Sequence, residues 1–162
     1  MENESSLEFY NTLVTRLIAD NSTQILDFEG LSHARIVTSG LISMATKEVN
    51  VFCKSLAHPL WMDSAVSAKI KGAWERGIMF NVLVQEEDLR YGRSVFARYG
   101  ISVARTTEDF RNLNKNYVAC DERAYALFRP DELRGTACFN GEVIASRLKF
   151  ITEMVAENEV HD

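Results

Sequence analysis

The stretch Gly77-Ile78-Met79-Phe80-Asn81-Val82-Leu83-Val84 decides the fold class. Every residue after the glycine except Asn81 is apolar, and such a nearly continuous apolar run is typical of a central strand that is covered on both faces. The glycine suits the left-handed end of a preceding helix. The stretch therefore predicts a strand over 78–84, in a parallel or mixed sheet that lies between helices.

Helix and strand patterns alternate on both sides of this strand. Apolar residues recur at three- and four-residue spacing before it, and β-branched and aromatic residues mark a further strand. These patterns predict helices over about 6–19, 31–45 and 62–74, with a strand over 49–53. After the central strand they predict a short helix over about 88–99 and a strand over 101–104. Such alternation indicates an α/β architecture.

The remainder of the chain changes to closely spaced strands. They are predicted over 117–120, 124–128 and 136–139, and the short polar segments between them favour hairpins. Asn140 is a suitable cap for a last helix over about 141–156. The predicted fold class is α/β, with a mixed, mostly parallel sheet sandwiched by helices.

Length and composition fit one packed domain. The chain has 162 residues, of which 46% are hydrophobic and 25% charged, and it contains few prolines and glycines. These values exclude collagen-like and disordered chains. We predict a single domain over 1–162, with an N-terminal helical extension over 1–30, a core over 31–156 and a frayed acidic tail over 157–162.

The acidic charge is concentrated at the two ends. The formal net charge is −5, yet residues 1–8 and 152–162 carry seven acids and no Lys or Arg, which leaves 18 − 16 = +2 for residues 9–151. A basic face is therefore compatible with the composition. The composition is not compatible with the overall electropositive field that is usual for a high-affinity DNA-binding protein.

Sequence signals for membranes, metals and cofactors are lacking. No apolar run is long enough to span a bilayer, and the start MENESSLE is not a signal peptide, so we expect a cytoplasmic protein with no membrane partner. Cys53, Cys120 and Cys138 are widely spaced among apolar residues and are expected to be buried free thiols. His33 and His58 are expected at a surface or a helix cap. We predict no metal site and no cofactor.

The segment Asn114-Lys115-Asn116-Tyr117-Val118-Ala119-Cys120-Asp121 enters a strand and ends in an acid at a turn. It resembles the His-x-Lys-x4-Asp motif of the phospholipase D superfamily, with Asn114 at the His position, Asn116 at the Lys position and Asp121 at the Asp position. The order of helices and strands over roughly 30–155 agrees with this family. The resemblance implies a phospholipase D-like half-domain with a degenerate motif.

Asparagine at the motif's His and Lys positions removes the groups that carry out catalysis in the family. In that family the motif His attacks phosphorus or protonates the leaving group, and the Lys holds phosphate oxygens. An asparagine amide is neither a useful nucleophile nor a group that titrates near neutral pH. The resemblance therefore implies a catalytically inactive copy in which Asn114 and Asn116 could still bind a ligand. The alternative is that both asparagines complete a loop while Asp121 accepts hydrogen bonds from turn amides.

A second candidate surface is rich in arginine. The window 90–105 contains no acid, includes three aromatic residues and carries Arg90, Arg93, Arg98 and Arg105, with Arg111 and Lys115 just beyond. Arginine among aromatic residues is typical of surfaces that grip nucleic acid. The flanking acids favour the alternative, which is an ordinary solvated surface.

These observations leave three functions open. The first is an inactive phospholipase D-like module that acts by association, through protein–protein or regulatory docking. The resemblance implies a homodimer, because single half-domains of that family complete their site by pairing. The second is a nucleic-acid-binding protein that uses the former active-site groove. The third is a phosphodiesterase or nuclease with a non-standard nucleophile such as Cys120.

Overall fold

A computed structural model of the protein describes residues 4–56, 58–85, 95–106 and 115–160, the last six of them by backbone alone. The helices are α1 (Glu4–Ala19), α2 (Leu31–Met44), α3 (Pro59–Met62), α4 (Ser64–Glu75), α5 (Val95–Arg98) and α6 (Glu142–Val155). The strands are β1 (Leu26–Glu29), β2 (Glu48–Cys53), β3 (Met79–Val84), β4 (Val103–Thr106), β5 (Asn116–Cys120), β6 (Ala124–Arg129), β7 (Arg134–Cys138) and β8 (Ala156–Val160). Most of the helix predicted over 88–99 lies outside the described residues.

The strands form one mixed sheet in the order β1-β7-β6-β5-β2-β3-β4-β8. The pairs β2–β3 and β3–β4 are parallel, and the other five pairings between the described strands are antiparallel. The mixed α/β sheet is confirmed, although its parallel part is smaller than predicted. The reason is that the meander β5–β6–β7 and the two edge strands contribute only antiparallel neighbours.

Helices cover both faces of the sheet, as predicted. On one face α1 to α4 pack against alternate residues of the central strands, such as Val51, Val82 and Val118. On the other face α6 packs through Leu148 against residues that include Phe52 and Tyr117. Because β2, β3 and β5 are covered on both faces, their sequences are nearly continuous apolar runs.

Capping residues place the helix ends. The Asp63 carboxylate accepts hydrogen bonds from the backbone N–H groups of Ala65 and Val66, at 3.0 and 3.1 Å, so α4 begins at Ser64. The helix predicted from Met62 is therefore two helices, α3 and α4. Gly77 adopts φ 84°, which confirms that the chain turns out of the helix there.

Both ends of the chain contribute strands that the sequence patterns did not indicate. Residues 26–29 pair with β7, and residues 156–160 pair with β4. Residues 26–29 show a short alternation in which Leu26 and Phe28 are buried, whereas residues 156–160 lack an apolar pattern. The proposed division into extension, core and tail stays a prediction. Among the described residues, each helix is too short or too polar to cross a membrane.

Candidate functional site at the carboxyl edge of the sheet

β5, the strand of the predicted motif, begins at the edge of the sheet where the parallel strands end. β2, β3 and β4 run in the same direction and finish at Cys53, Val84 and Thr106. β5 runs antiparallel to β2, so its first residue, Asn116, lies at that carboxyl edge. The carboxyl ends of parallel strands are where open α/β sheets bind ligands. Asn114, which is predicted at the motif's His position, lies outside the described residues.

Asn116 is a buried structural residue. Its side chain is 1% exposed, and its Oδ1 accepts a hydrogen bond of 3.1 Å from the backbone N–H of Lys54. This bond ties the first residue after β2 to the start of β5. The position therefore carries a neutral amide that serves the backbone, with no cation for a phosphate oxygen.

Asp121 lies at the opposite end of the same strand and holds a different loop. Its carboxylate accepts hydrogen bonds from the backbone N–H groups of Thr46, Lys47 and Glu48, at 2.7, 2.8 and 2.9 Å, and from the Thr46 hydroxyl at 3.1 Å. Partial burial raises the pKa of this carboxyl, but the hydrogen bonds outweigh burial and hold the pKa below its ordinary value. β5 has five residues, so at about 3.4 Å per residue Asn116 and Asp121 are roughly 17 Å apart.

The predicted arginine surface is only partly described. Arg90, Arg93 and Arg111 lie outside the described residues. Arg98 is exposed on α5, and Arg105 is half-buried near the carboxyl end of β4. These two arginines are separated by the turn that leads from α5 into β4, so they do not share one row of the sheet. Lys115 is exposed and directly precedes β5.

Sequence patterns did not reveal a row of cations at the same edge. In the register of β6 and β7, Arg129 lies directly opposite Arg134. Asn116 lies opposite Phe128, so continuing the β5–β6 register by one residue places Lys115 opposite Arg129. We call Lys115, Arg129 and Arg134 the cationic row. The sequence feature that could have indicated this row is the tight turn over 130–133, which joins the two strands that carry Arg129 and Arg134.

The cationic row lines an open cleft of about 370 Å³. Leu127 and Thr136 also line the cleft, and the one acid among its lining residues is Glu132. Within the described part of the chain, no carboxylate forms an ion pair with any member of the row. Because side chains alternate across a strand, Lys115 and Asn116 belong to opposite faces of β5.

An acidic cleft adjoins the row at the sheet's outer edge. Asp27, Glu29 and His33 line this cleft of about 330 Å³ together with Arg134. His33 stacks on Tyr10 with ring centroids 3.9 Å apart. The two clefts meet at Arg134, with the acids Asp27 and Glu29 on the β1 side and the cations Arg129 and Lys115 on the β5 side.

The other predicted chemical groups have structural roles. The three cysteines are buried and form no disulfide with one another, as predicted. Burial raises the pKa of the Cys120 thiol far above its ordinary value, and the neighbouring carboxylates of Asp121 and Glu48 raise it further. His58 caps α3, since its Nδ1 accepts the N–H of Leu60 at 3.1 Å. Among the described residues no cluster of three metal-ligating side chains occurs.

The outer face of α6 is apolar and exposed. Val143, Phe150 and Met154 are each at least 60% exposed. Their spacing of seven and four residues places them on one side of the helix. The opposite side of α6 packs on the sheet through Ala145 and Leu148. α6 thus has two apolar stripes: one packs on the sheet, and the other is mostly exposed among the described residues.

Comparisons with known proteins identify the fold. No protein-family model matches the sequence, and no curated protein matches it. Among solved structures, the chain is similar to Nuc, a phospholipase D family member from Salmonella typhimurium, with 13% identity, a TM-score of 0.66, and coverage of 86% of this chain and 99% of Nuc. NucT from Helicobacter pylori matches with 14% identity, a TM-score of 0.63, and coverage of 86% and 99%.

A third similar structure belongs to a chromatin protein. TrmBL2, an archaeal chromatin protein described as showing a novel mode of DNA binding, matches with 13% identity and a TM-score of 0.58. The match covers 93% of this chain and 60% of TrmBL2. At these identities the likeness shows the fold alone. The fold is phospholipase D-like, as the sequence resemblance implied.

Proposed function

We propose that the chain is a catalytically inactive phospholipase D-like module that acts by association. The observation that carries this proposal is the state of Asn116, which occupies the motif's Lys position. It is buried and its Oδ1 is used by the backbone N–H of Lys54. A group engaged in this way supplies neither positive charge to a phosphorane nor a proton to a leaving oxygen.

The neighbouring thiol does not replace the missing nucleophile. Cys120 is 1% exposed, and its Sγ contacts the carbonyl oxygen of Leu41 at 3.5 Å, inside the core between the sheet and α2. A thiol whose pKa is raised by burial remains protonated at neutral pH and is a poor nucleophile. The third function considered above, an enzyme that uses Cys120, is disfavoured for this reason.

The first associating partner that we propose is protein, beginning with a second copy of the chain. Support comes from the outer stripe of α6, where Val143, Phe150 and Met154 are exposed at helix-pairing spacing. Exposed large apolar side chains that share one face are typical of protein contacts. Symmetric dimers are the commonest way for identical chains to cover such a face.

Nucleic acid is the second candidate partner, and a separate observation favours it. The cationic row of Lys115, Arg129 and Arg134 lines a cleft at the carboxyl edge, and no ion pair within the described residues neutralises it. Clustered cations on one face are the electrostatic requirement for binding a phosphate backbone. TrmBL2, a chromatin protein described as binding DNA, has a similar fold.

Hydrolysis of a chromogenic phosphodiester tests the inactivity. We expect the parent protein to release no product above the buffer rate, because asparagine at the motif's His and Lys positions is not an ionisable nucleophile or acid. The variant Asn114→His/Asn116→Lys restores the motif's residue types and is the comparison, with folding checked by circular dichroism since position 116 is buried. Hydrolysis by the parent, in an activity that copurifies with the folded protein, would contradict the proposal.

A further inference from the structure

Arg134 lies between a like charge and an opposite charge, because Arg129 is directly opposite it on β6 and Glu29 is directly opposite it on β1. Like charges directly opposite each other on neighbouring strands repel. The register extends the repulsion to a third cation, Lys115, on the next strand. Glu132 lines the same cleft, yet it forms no ion pair with any of the three within the described residues. A bound anion between these side chains would remove the repulsion.

The row lies on sheet surface that the described helices leave uncovered. α6 covers this face where Tyr117 and Tyr125 pack against it. Leu127 is half-buried at the border of that contact, and the cationic row lies beyond it at the carboxyl edge. Adjacent strands are about 4.8 Å apart, so three cations on three strands span about 10 Å. An extended chain of anions could contact all three.

Solvent exposure determines which kind of anion fits. Lys115, Arg129 and Arg134 are all exposed, and a single exposed ion pair contributes little because water and salt screen it. A polymer of phosphates gains affinity by contacting several cations at once and releasing its bound counterions. The apolar surface of Leu127 and the hydroxyl of Thr136, which line the same cleft, can contact sugar or base.

We propose that the cationic row binds successive phosphates of a single nucleic-acid strand on the open sheet face, across β5 from the degenerate motif residue Asn116. The strand runs from Arg134 toward Lys115, because Asp27 and Glu29 repel phosphate on the β1 side. This inference deepens the associative function proposed above and rests on it.

Fluorescence anisotropy with a short, labelled, mixed-sequence single-stranded DNA tests the site. Three phosphate contacts at about 0.7 each give a salt slope of about −2, so the parent's affinity should fall roughly twentyfold between about 50 and about 200 mM salt. The variant K115Q/R129Q/R134Q should lose at least about tenfold in affinity at the lower salt and most of the slope.

A matched variant separates the site from overall charge. R16Q/K71Q/R147Q removes the same charge from exposed positions on α1, α4 and α6. We expect it to lose less than about threefold in affinity. Equal losses in the two variants, or no binding by the parent, would overturn the proposal. So would displacement of the DNA by inorganic phosphate at an equal phosphate concentration, since that result indicates a pocket for one anion.

The two proposals fail in different experiments. A parent protein that binds no DNA but also hydrolyses no phosphodiester refutes the cationic-row site and leaves the inactive module standing. A parent protein that hydrolyses phosphodiesters refutes the inactive module, whatever the row variant does. Circular dichroism of the row variant completes the design, because all three substituted side chains are exposed and should leave the fold intact.

Discussion

The carboxylate of Asp121 accepts both the backbone N–H and the side-chain hydroxyl of Thr46, at 2.7 and 3.1 Å, across 75 positions of sequence. Two further N–H groups, from Lys47 and Glu48, bind its other oxygen. The acid at the end of the motif therefore fastens the connection between α2 and β2 to the end of β5. Its role is to organise the sheet, and it lies far from the carboxyl edge.

Replacement of Asp121 by Asn should destabilise the protein. An Asn amide keeps one acceptor oxygen but turns an N–H donor toward backbone N–H groups, so we expect a loss of about 2 kcal/mol in the free energy of unfolding. The effect should depend on pH. The folded pKa of Asp121 lies below the ordinary value of 3.8, so its contribution is present above that pH and is lost as pH falls through the folded pKa.

Urea unfolding at neutral pH and at about pH 3 measures both effects. Glu122→Gln is the control, because Glu122 is adjacent but exposed, and its ion pair with Lys149 is a long one of 3.5 Å. The difference in the free energy of unfolding between the parent and D121N should be smaller at about pH 3 than at neutral pH. A difference that stays constant between the two pH values would contradict a role for the ionised carboxylate.

Gly135 should not tolerate a side chain. A Cβ at this position would lie 2.1 Å from the carbonyl oxygen of Leu127 and 2.6 Å from the Cα of Phe128, both in the backbone of β6. We expect Gly135→Ala to cost about 3 kcal/mol or more, because the β6–β7 pairing must shift. Gly72→Ala is the matched control within α4.

The nearest atom to a Cβ at Gly72 is Nη1 of Arg76, at 3.9 Å, which is an ordinary contact. Alanine is the better helix former, so Gly72→Ala should raise stability by up to about 1 kcal/mol. Thermal unfolding of the two variants against the parent measures the contrast. Equal effects of the same sign would contradict the close β6–β7 pairing at Gly135.

Much of the fold follows from the sequence, because its central elements have strong periodic patterns. The apolar run over 78–84 and the stripe of α6 each predict the element that the structure contains. β1 is only four residues long, so its alternation of buried and exposed residues is too short to distinguish from a loop. The hairpins of β5, β6 and β7 were predicted, but the antiparallel pairings of the two edge strands β1 and β8 were not, because edge strands leave weak patterns.

The site was less predictable than the fold. Asn116 and Asp121 both accept hydrogen bonds from backbone N–H groups that are 62 and 75 positions away in the sequence, which a local pattern does not indicate. The cationic row depends on strand register, which places Lys115 beside residues 14 and 19 positions further along the chain. Composition gives no register, and only the hairpin turn over 130–133 could have paired Arg129 with Arg134.

The thiols should be inert in the folded protein. Cys53, Cys120 and Cys138 are all at most 3% exposed. We expect an aromatic disulfide reagent to label none of them in the native state and all of them in guanidinium, because labelling requires a solvent-exposed thiolate. Rapid native labelling of one thiol that is lost in Cys120→Ser would contradict the buried, protonated state of that group.

Self-association should depend on the outer stripe of α6. Glutamates at Phe150 and Met154 would place charges where an apolar contact is required, so we expect F150E/M154E to be monomeric while the parent is dimeric. Light scattering coupled to size exclusion measures the masses. Met62→Glu is the control, because Met62 is 59% exposed on α3, away from α6. A parent that is monomeric at high concentration would contradict the dimer proposal.

The central claim is that this phospholipase D-like chain associates without catalysis, and the most direct measurement follows the length of an end-labelled oligonucleotide incubated with saturating protein. At low salt we predict that the oligonucleotide shifts into a protein complex and is recovered at full length after prolonged incubation. Shortened products that accumulate in proportion to the concentration of folded protein would contradict the account.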